Sequence, residues 1–201
     1  FMANAAPRSS IRRAGSPLAQ WLHKAIETYR VPRKLAGRGG LRRRVGPVFR
    51  DEDELPASAD LSREIDQALQ QSRFLIVICS PRTPQSEWVN REAERFRELG
   101  RGENILALLI EGEPAQAFPR ALCEIRRRIV DESGLSRDEI EQVEPLAADV
   151  RPTRSEGPRY LRRMARLRLL ACILGCRFDE LRQREQERRT RRLVWAGGLL
   201  G

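Results

Sequence analysis

Histidine is almost missing from this chain. His23 is the only one among 201 residues. That scarcity removes most imidazole-based catalysis. The four cysteines, Cys79, Cys123, Cys172 and Cys176, form no CxxC pair. A zinc centre needs four ligands, and this short set offers them at unsuitable spacings, so no metal is expected. If the chain is an enzyme, carboxylates must carry the chemistry. Cys79 sits inside an apolar run, where a thiol packs as a small hydrophobe. All four cysteines are expected to be reduced, as in a cytosolic chain. Internal repeats are absent. So is any apolar run of the roughly 20 residues that a membrane-spanning helix requires. The stretch FMANAAPRSSIRRAGS has basic residues with no apolar segment behind them, so it does not read as a signal peptide.

Charge, by contrast, is abundant. Charged residues make up 33%, the net charge is +10 and the pI is about 10.7. Such a balance favours anionic partners without choosing among nucleic acid, lipid and phosphate ligands. A hydrophobic fraction of 40% supports a core, and the length suits one domain with an appendage.

The pattern alternates helix and strand. Ser16 and Pro17 read as a helix start, followed at helical spacing by Leu18, Trp21, Leu22, Ala25, Ile26 and Tyr29, with Pro32 ending the helix. RKLAGRGGLRRR is a basic, Gly-rich loop with no aromatic interleaved among its charges, so a solvated loop is expected rather than a nucleic-acid site. VGPVFRD reads as a short strand and DEDELPAS as an acidic loop. A second helix is expected from about Ser58–Asp60, with Leu61, Ile65 and Leu69 on one face. RFLIVICS, residues 73–80, is apolar on both faces, as a central parallel strand is. SEWVNREAERFRELG reads as a helix capped by Ser86 and closed by Gly100. NILALLIEG is a further buried strand. A helical stretch is expected over 135–143, and EPLAADVR reads as a last strand at the sheet edge. His23 falls on a polar face and is expected to be solvated.

This alternation implies an α/β fold with a doubly wound parallel sheet. Ligands of such sheets bind beyond the carboxyl ends of the strands, where strand order reverses. Glu92 lies one loop past the carboxyl end of FLIVICS, hence on the ligand side. Trp88 and Glu92 are four residues apart, which places them on one helical face. Against a ligand-facing Glu92 stands a surface glutamate paired with Arg91 or Arg95.

Several segments together resemble the Toll/interleukin receptor (TIR) domain of bacterial multidomain proteins. They are WLHKAIETYRVPRKL, PVFRDEDELPASADLSREIDQAL, SRFLIVICSPR, SEWVNREAERF, and ILALLIEGEP with AFPRAL. The resemblance covers roughly residues 20–150 and implies a flavodoxin-like TIR fold followed by a C-terminal helical extension. It implies NAD+ cleavage in stress or anti-phage signalling, with NAD+ as substrate and no cofactor. Glu92, which closes the family's W-x-x-x-E pattern, is then the catalytic carboxylate. Trp88, Arg50, Asp51 and Ser80 are the substrate-binding candidates. Against these stand a core role for Trp88, an ion pair with Asp51 or Asp53 for Arg50, and a turn role for Ser80. Residues 51–59 match the family's BB loop, with Asp53, Glu54, Leu55 and Pro56 as assembly residues. The resemblance thus also implies self-association with other TIR domains, and a non-catalytic assembly module is the alternative function.

One departure concerns the family's first strand, an apolar run before the helix at Pro17. FMANAAPRSSIRRAGS is neither apolar nor alternating, so an irregular N-terminus is expected over 1–16, with the TIR-like domain at 17–156. A basic helical linker is expected over 157–193, resembling the segment that joins such domains to a membrane helix. Residues 194–201 are read as the start of a transmembrane segment, because the basic RRTRR precedes the apolar LVWAGGLLG. The chain is accordingly expected on the cytoplasmic face of a membrane, with its basic helix near anionic headgroups. That placement absorbs much of the charge, and no nucleic-acid partner is expected; nucleic-acid binding through the basic tail is a weaker alternative function.

Overall fold

A computed structural model describes residues 8–12, 17–33, 35, 44–50, 61–130, 136–143 and 145–197. Its centre is the segment with the strongest strand pattern. Ser72–Cys79 forms strand β3, buried throughout except at Arg73. Ile105–Leu109 forms β4, parallel to β3, with Leu75 opposite Ile105 and Cys79 opposite Leu109. Side chains alternate across a strand, and here both faces are apolar. Phe74, Ile76 and Ile78 pack in one core with Ala19, Leu22 and Ile26 of helix α1 (Pro17–Glu27). Leu75, Val77 and Cys79 pack in a second core. Helix α2 (Leu61–Gln71) contributes Ile65 and Leu69 to it, and helix α3 (Glu87–Glu98) contributes Ala93 and Phe96. The result is a sheet covered by helices on both sides, the setting that continuous apolar strands require.

The five-stranded sheet is parallel throughout. Its order is β2 (Val48–Arg50), β1 (Arg8–Arg12), β3, β4 and β7 (Ala147–Asp149). EPLAADVR thus supplies an edge strand. Strand order reverses between β1 and β3, which marks their carboxyl ends as the ligand side.

Three expectations are corrected. The first is the irregular N-terminus over 1–16. Arg8–Arg12 forms a strand in the middle of the sheet, with Ser9 opposite both Val48 and Phe74. A parallel strand is held by main-chain hydrogen bonds, and RSSIR supplies these on both edges whatever its side chains. Hydrophobic pattern therefore missed it.

The second is the helix over 135–143. Two short helices, α4 (Pro114–Ala117) and α5 (Arg120–Cys123), lead instead into an antiparallel hairpin, β5 (Glu124–Val130) with β6 (Ser136–Gln142). Its register sets Arg127 opposite Glu139 and Arg128 opposite Asp138. Main-chain pairing of this kind leaves no apolar period, so a scan for apolar periodicity does not see it.

The third is the linker over 157–193. The segment is two helices, α6 (Pro158–Leu174) and α7 (Phe178–Gly197), broken at Gly175 in the left-handed region. The Gly175 N–H donates to the Cys172 carbonyl and the Cys176 N–H to the Ala171 carbonyl, a glycine-terminated helix end. Ala165, Leu167, Leu169 and Leu170 are buried in the same core as α1. The sheet domain therefore does not stop at 156. α7 is tied back as well: Leu181 is fully buried, the Tyr29 hydroxyl donates to Glu185 Oε1 (3.1 Å), and Arg188 donates to the Arg30 carbonyl (2.7 Å). Among the described residues no helix is long and apolar enough to cross a membrane. His23, expected to be solvated, is partly buried with Nε2 3.1 Å from Glu27 Oε1. The four cysteines are free.

Candidate functional site

The segment after β3 is fixed by short polar side chains. Ser80 donates its N–H to Thr83 Oγ1 (2.9 Å), and Thr83 Oγ1 donates to the Ile78 carbonyl (3.1 Å). One 3-10 turn, Thr83–Gln85, follows. Ser86 then caps α3, its hydroxyl accepting from the Val89 N–H. Asn90 reaches back, its side-chain amide donating to the carbonyls of Pro84 (2.8 Å) and Ser86 (2.9 Å). Gly100 ends the helix with φ of 72°. These bonds set where α3 begins, and therefore where Glu92 stands.

Glu92, in the middle of α3, is 7% exposed. Glutamates are rarely buried to this degree unless their charge is paired or hydrogen-bonded. It is not a surface carboxylate. Arg95 pairs with Asp66 and Glu98, and the Arg91 guanidinium lies over the Trp88 ring at 5.6 Å. Trp88 itself is 55% exposed, so it is not a core residue. The four-residue spacing puts Trp88 one turn nearer the open end of the helix, where the ring is left to solvent while the carboxylate is enclosed.

Ser80 is 1% exposed and closes the strand-to-helix turn. Arg50 is the last residue of β2, opposite Ile11 of β1. The carboxyl ends of β2, β1 and β3 are neighbours, so Arg50 and Ser80 share a rim with the start of α3. Asp51, Asp53, Glu54, Leu55 and Pro56 lie outside the described residues. Among the described residues no cluster of His, Cys, Asp and Glu could hold a metal ion. The Cys79 thiol is pushed up to about 12, first by burial and then by Cys123, which leaves it protonated and inert.

Sequence reasoning missed several supports. Thr83 and Asn90 hold the turn, and neither has a pattern that sets it apart from other polar loop residues. Gly112, with φ of 78°, lies against the same turn, since an added Cβ would come within 2.5 Å of Pro81 Cγ. Arg151 binds Asp149 through Nε and Nη2 and also reaches the Gly112 carbonyl and Glu113. That cluster borders a cavity of about 370 Å³ whose walls include Leu109, Pro114, Phe118 and Leu146. The cavity is at the carboxyl ends of β4 and β7 and contains none of the expected site residues. Position in the fold, not cavity volume, singles out Glu92.

A family model described as the TIR domain matches residues 38–146. The chain is similar to a protein of Actinoplanes sp. named NAD(+) hydrolase ApTIR, at 36% identity over 66 residues. That match spans 33% of this chain and 9% of that protein. Among solved structures, the TIR domains of the activated Roq1 resistosome, which directly recognizes the pathogen effector XopQ, superpose with a TM-score of 0.38 at 20% identity. That overlap covers 54% of this chain and 58% of the other. With a family match over more than half its length and a parallel sheet flanked by helices, the chain belongs to the TIR-domain family.

Proposed function

We propose that this chain is a signalling TIR domain that cleaves NAD+ between nicotinamide and ribose, with Glu92 as the catalytic carboxylate. The observation that carries the reading is a glutamate buried in the middle of α3, the helix that follows the central strand β3. The 36% match to a protein named as an NAD(+) hydrolase supports the same chemistry. Bond cleavage passes through an oxocarbenium-like state. A carboxylate near the ribose stabilises that charge or orients the ribose hydroxyls. Nicotinamide is a good leaving group, so neither a metal nor a general-acid histidine is needed. Arg50 and Asp51 would meet the nucleotide from the end of β2, and exposed Trp88 would form an outer wall. Ser80 would act by holding the turn. Stress or anti-phage signalling is the setting that fits such an activity.

The test is NAD+ consumption by the purified chain at high protein concentration. Glu92→Ala is expected to lower the rate by at least about a hundredfold. Intact NAD+ under these conditions with the parent sequence would leave the second reading, a non-catalytic module that assembles with other TIR domains through residues 51–59. The basic C-terminal helices would lie against an anionic membrane surface in either case, on its cytoplasmic face. Vesicle co-sedimentation that is insensitive to anionic lipid would exclude that placement.

A further inference from the structure

We infer that the anionic membrane surface is met by the N-terminal half of α6, where arginines held flat against aromatic rings take phosphate headgroups, and not by the longer basic helix α7. This rests on the membrane placement proposed above and names its contact. α6 carries five arginines and no carboxylate. α7 carries six arginines against four carboxylates, Asp179, Glu180, Glu185 and Glu187. One side of α6 is core, with Ala165, Leu167, Leu169 and Leu170 buried. Arg159 and Arg162 are exposed, and Arg163 and Arg166 are half-buried. Spacings of three, four and seven residues set these four along one side of the helix over about two turns.

The two helices use their arginines differently. On α7, Arg184 meets Glu187, Arg188 meets Glu185, and Arg188 also donates to the Arg30 carbonyl. The arginines of α6 form no ion pair among the described residues, and the buried Nε atoms of Arg163 and Arg166 have no hydrogen-bond partner there. Three of the four lie over rings instead. Arg162 is 5.8 Å from the centre of Trp21 of α1, Arg163 is 5.4 Å from that of Tyr160, and Arg166 is 5.7 Å from that of Tyr29. A ring fixes the plane of a guanidinium without neutralising it. The planar fork then matches a phosphate two oxygens at a time. Tyr29 is buried and donates to Glu185, so the Arg166 end of the row is the inner one. The Arg159–Arg162 end is open to a ligand. Lys24, exposed three residues after Trp21, adds a further cation from α1.

The rings choose between a bilayer and a nucleic-acid strand. Single strands are held by bases stacked on open aromatic faces, and the faces of Trp21, Tyr160 and Tyr29 already carry guanidinium groups. Trp21 is half-buried, at the boundary between protein and solvent. An aromatic ring beside cationic side chains suits the headgroup level of a bilayer. The charges of Arg159, Arg162 and Lys24 add up at an anionic leaflet, and no spanning helix is needed for that contact.

The experiment is co-sedimentation of the full chain with phosphatidylcholine vesicles, with and without phosphatidic acid. The parent chain is expected to pellet only with the vesicles that contain phosphatidic acid, and to be released as salt is raised. Arg159→Gln with Arg162→Gln, both at exposed positions, is expected to weaken binding at least about tenfold with an unchanged circular-dichroism spectrum. Arg189→Gln with Arg191→Gln removes the same charge from exposed positions of α7 and is expected to weaken binding less than about threefold. Arg159→Lys with Arg162→Lys keeps the charge but loses the fork, and is expected to bind more weakly than the parent. Equal loss in the two glutamine pairs would reduce the contact to net charge and overturn the inference. So would parent-like binding by the α6 glutamine pair or by the lysine pair, and either result would leave the membrane placement standing. A parent chain that ignores both kinds of vesicle would overturn the placement and the inference together. Binding to a DNA oligonucleotide that is lost in the α6 glutamine pair, with vesicles ignored, would assign the row to nucleic acid instead. The readout is lipid binding, so its failure leaves NAD+ cleavage untouched.

Discussion

At the scale of single residues, the α3 helix shows how polar side chains at its start position a carboxylate further along it. Asn90 spends both its amide donors on the preceding turn, so removing them frees the first turn of the helix. Asn90→Ala is expected to lower stability by about 1–2 kcal/mol, read from denaturant midpoints at unchanged slope, and to lower NAD+ turnover with Glu92 still present. Cys79 gives a pH signature. Its folded pKa, about 12, lies above the ordinary 9.0, so the folded chain holds the proton longer than the unfolded one. The resulting stability is intact below pH 9 and is lost as pH rises toward 12, on the order of 1 kcal/mol per pH unit. Thermal melts between pH 8 and 11 should show this decline, and Cys79→Ala should flatten it after its own fixed cost.

Between elements, the turns at the carboxyl rim are locked to one another. Gly112 follows β4, and Pro81 follows β3. A methyl group at position 112 would have to displace the proline ring, and the φ of 78° disfavours any side chain there. Gly112→Ala is expected to cost about 1–3 kcal/mol, and more than an alanine at Gly100, which has open space around it at a similar φ. Comparing the two melts separates the clash from the backbone cost. Elements with an apolar signature were legible: FLIVICS and ILALL announce buried parallel strands because both faces must be covered. RSSIR and the β5–β6 hairpin were not, because main-chain pairing forms them and leaves no apolar period.

For the whole molecule, the decisive element is the C-terminal helical pair. α6 closes the core that α1 begins, and α7 reaches back to Tyr29 and Arg30. A chain ending at 156 would remove Ala165, Leu167, Leu169 and Leu170 from the core they share with α1 and β3. That truncation is expected to aggregate or lose cooperative melting, whereas a true linker could be removed without effect. Tyr29→Phe is a milder probe of the same contact. It removes the hydrogen bond to Glu185 and should cost about 1 kcal/mol while leaving the ring in place.

The sequence by itself determined the α/β class, the two central strands, the caps of α3 at Ser86 and Gly100, and the candidacy of Glu92. Each follows from local chemistry: two-sided apolarity, a capping hydroxyl, a glycine free to turn left-handed, and a carboxylate placed just past a strand end. Only the tertiary structure decided that Glu92 is enclosed while Trp88 is exposed. It alone showed that a polar pentapeptide becomes a central strand, and that a basic helical segment is packed core rather than linker. Those outcomes depend on which neighbours arrive from distant parts of the chain. Burial and parallel pairing are properties of the assembled layers, and no window of residues contains them.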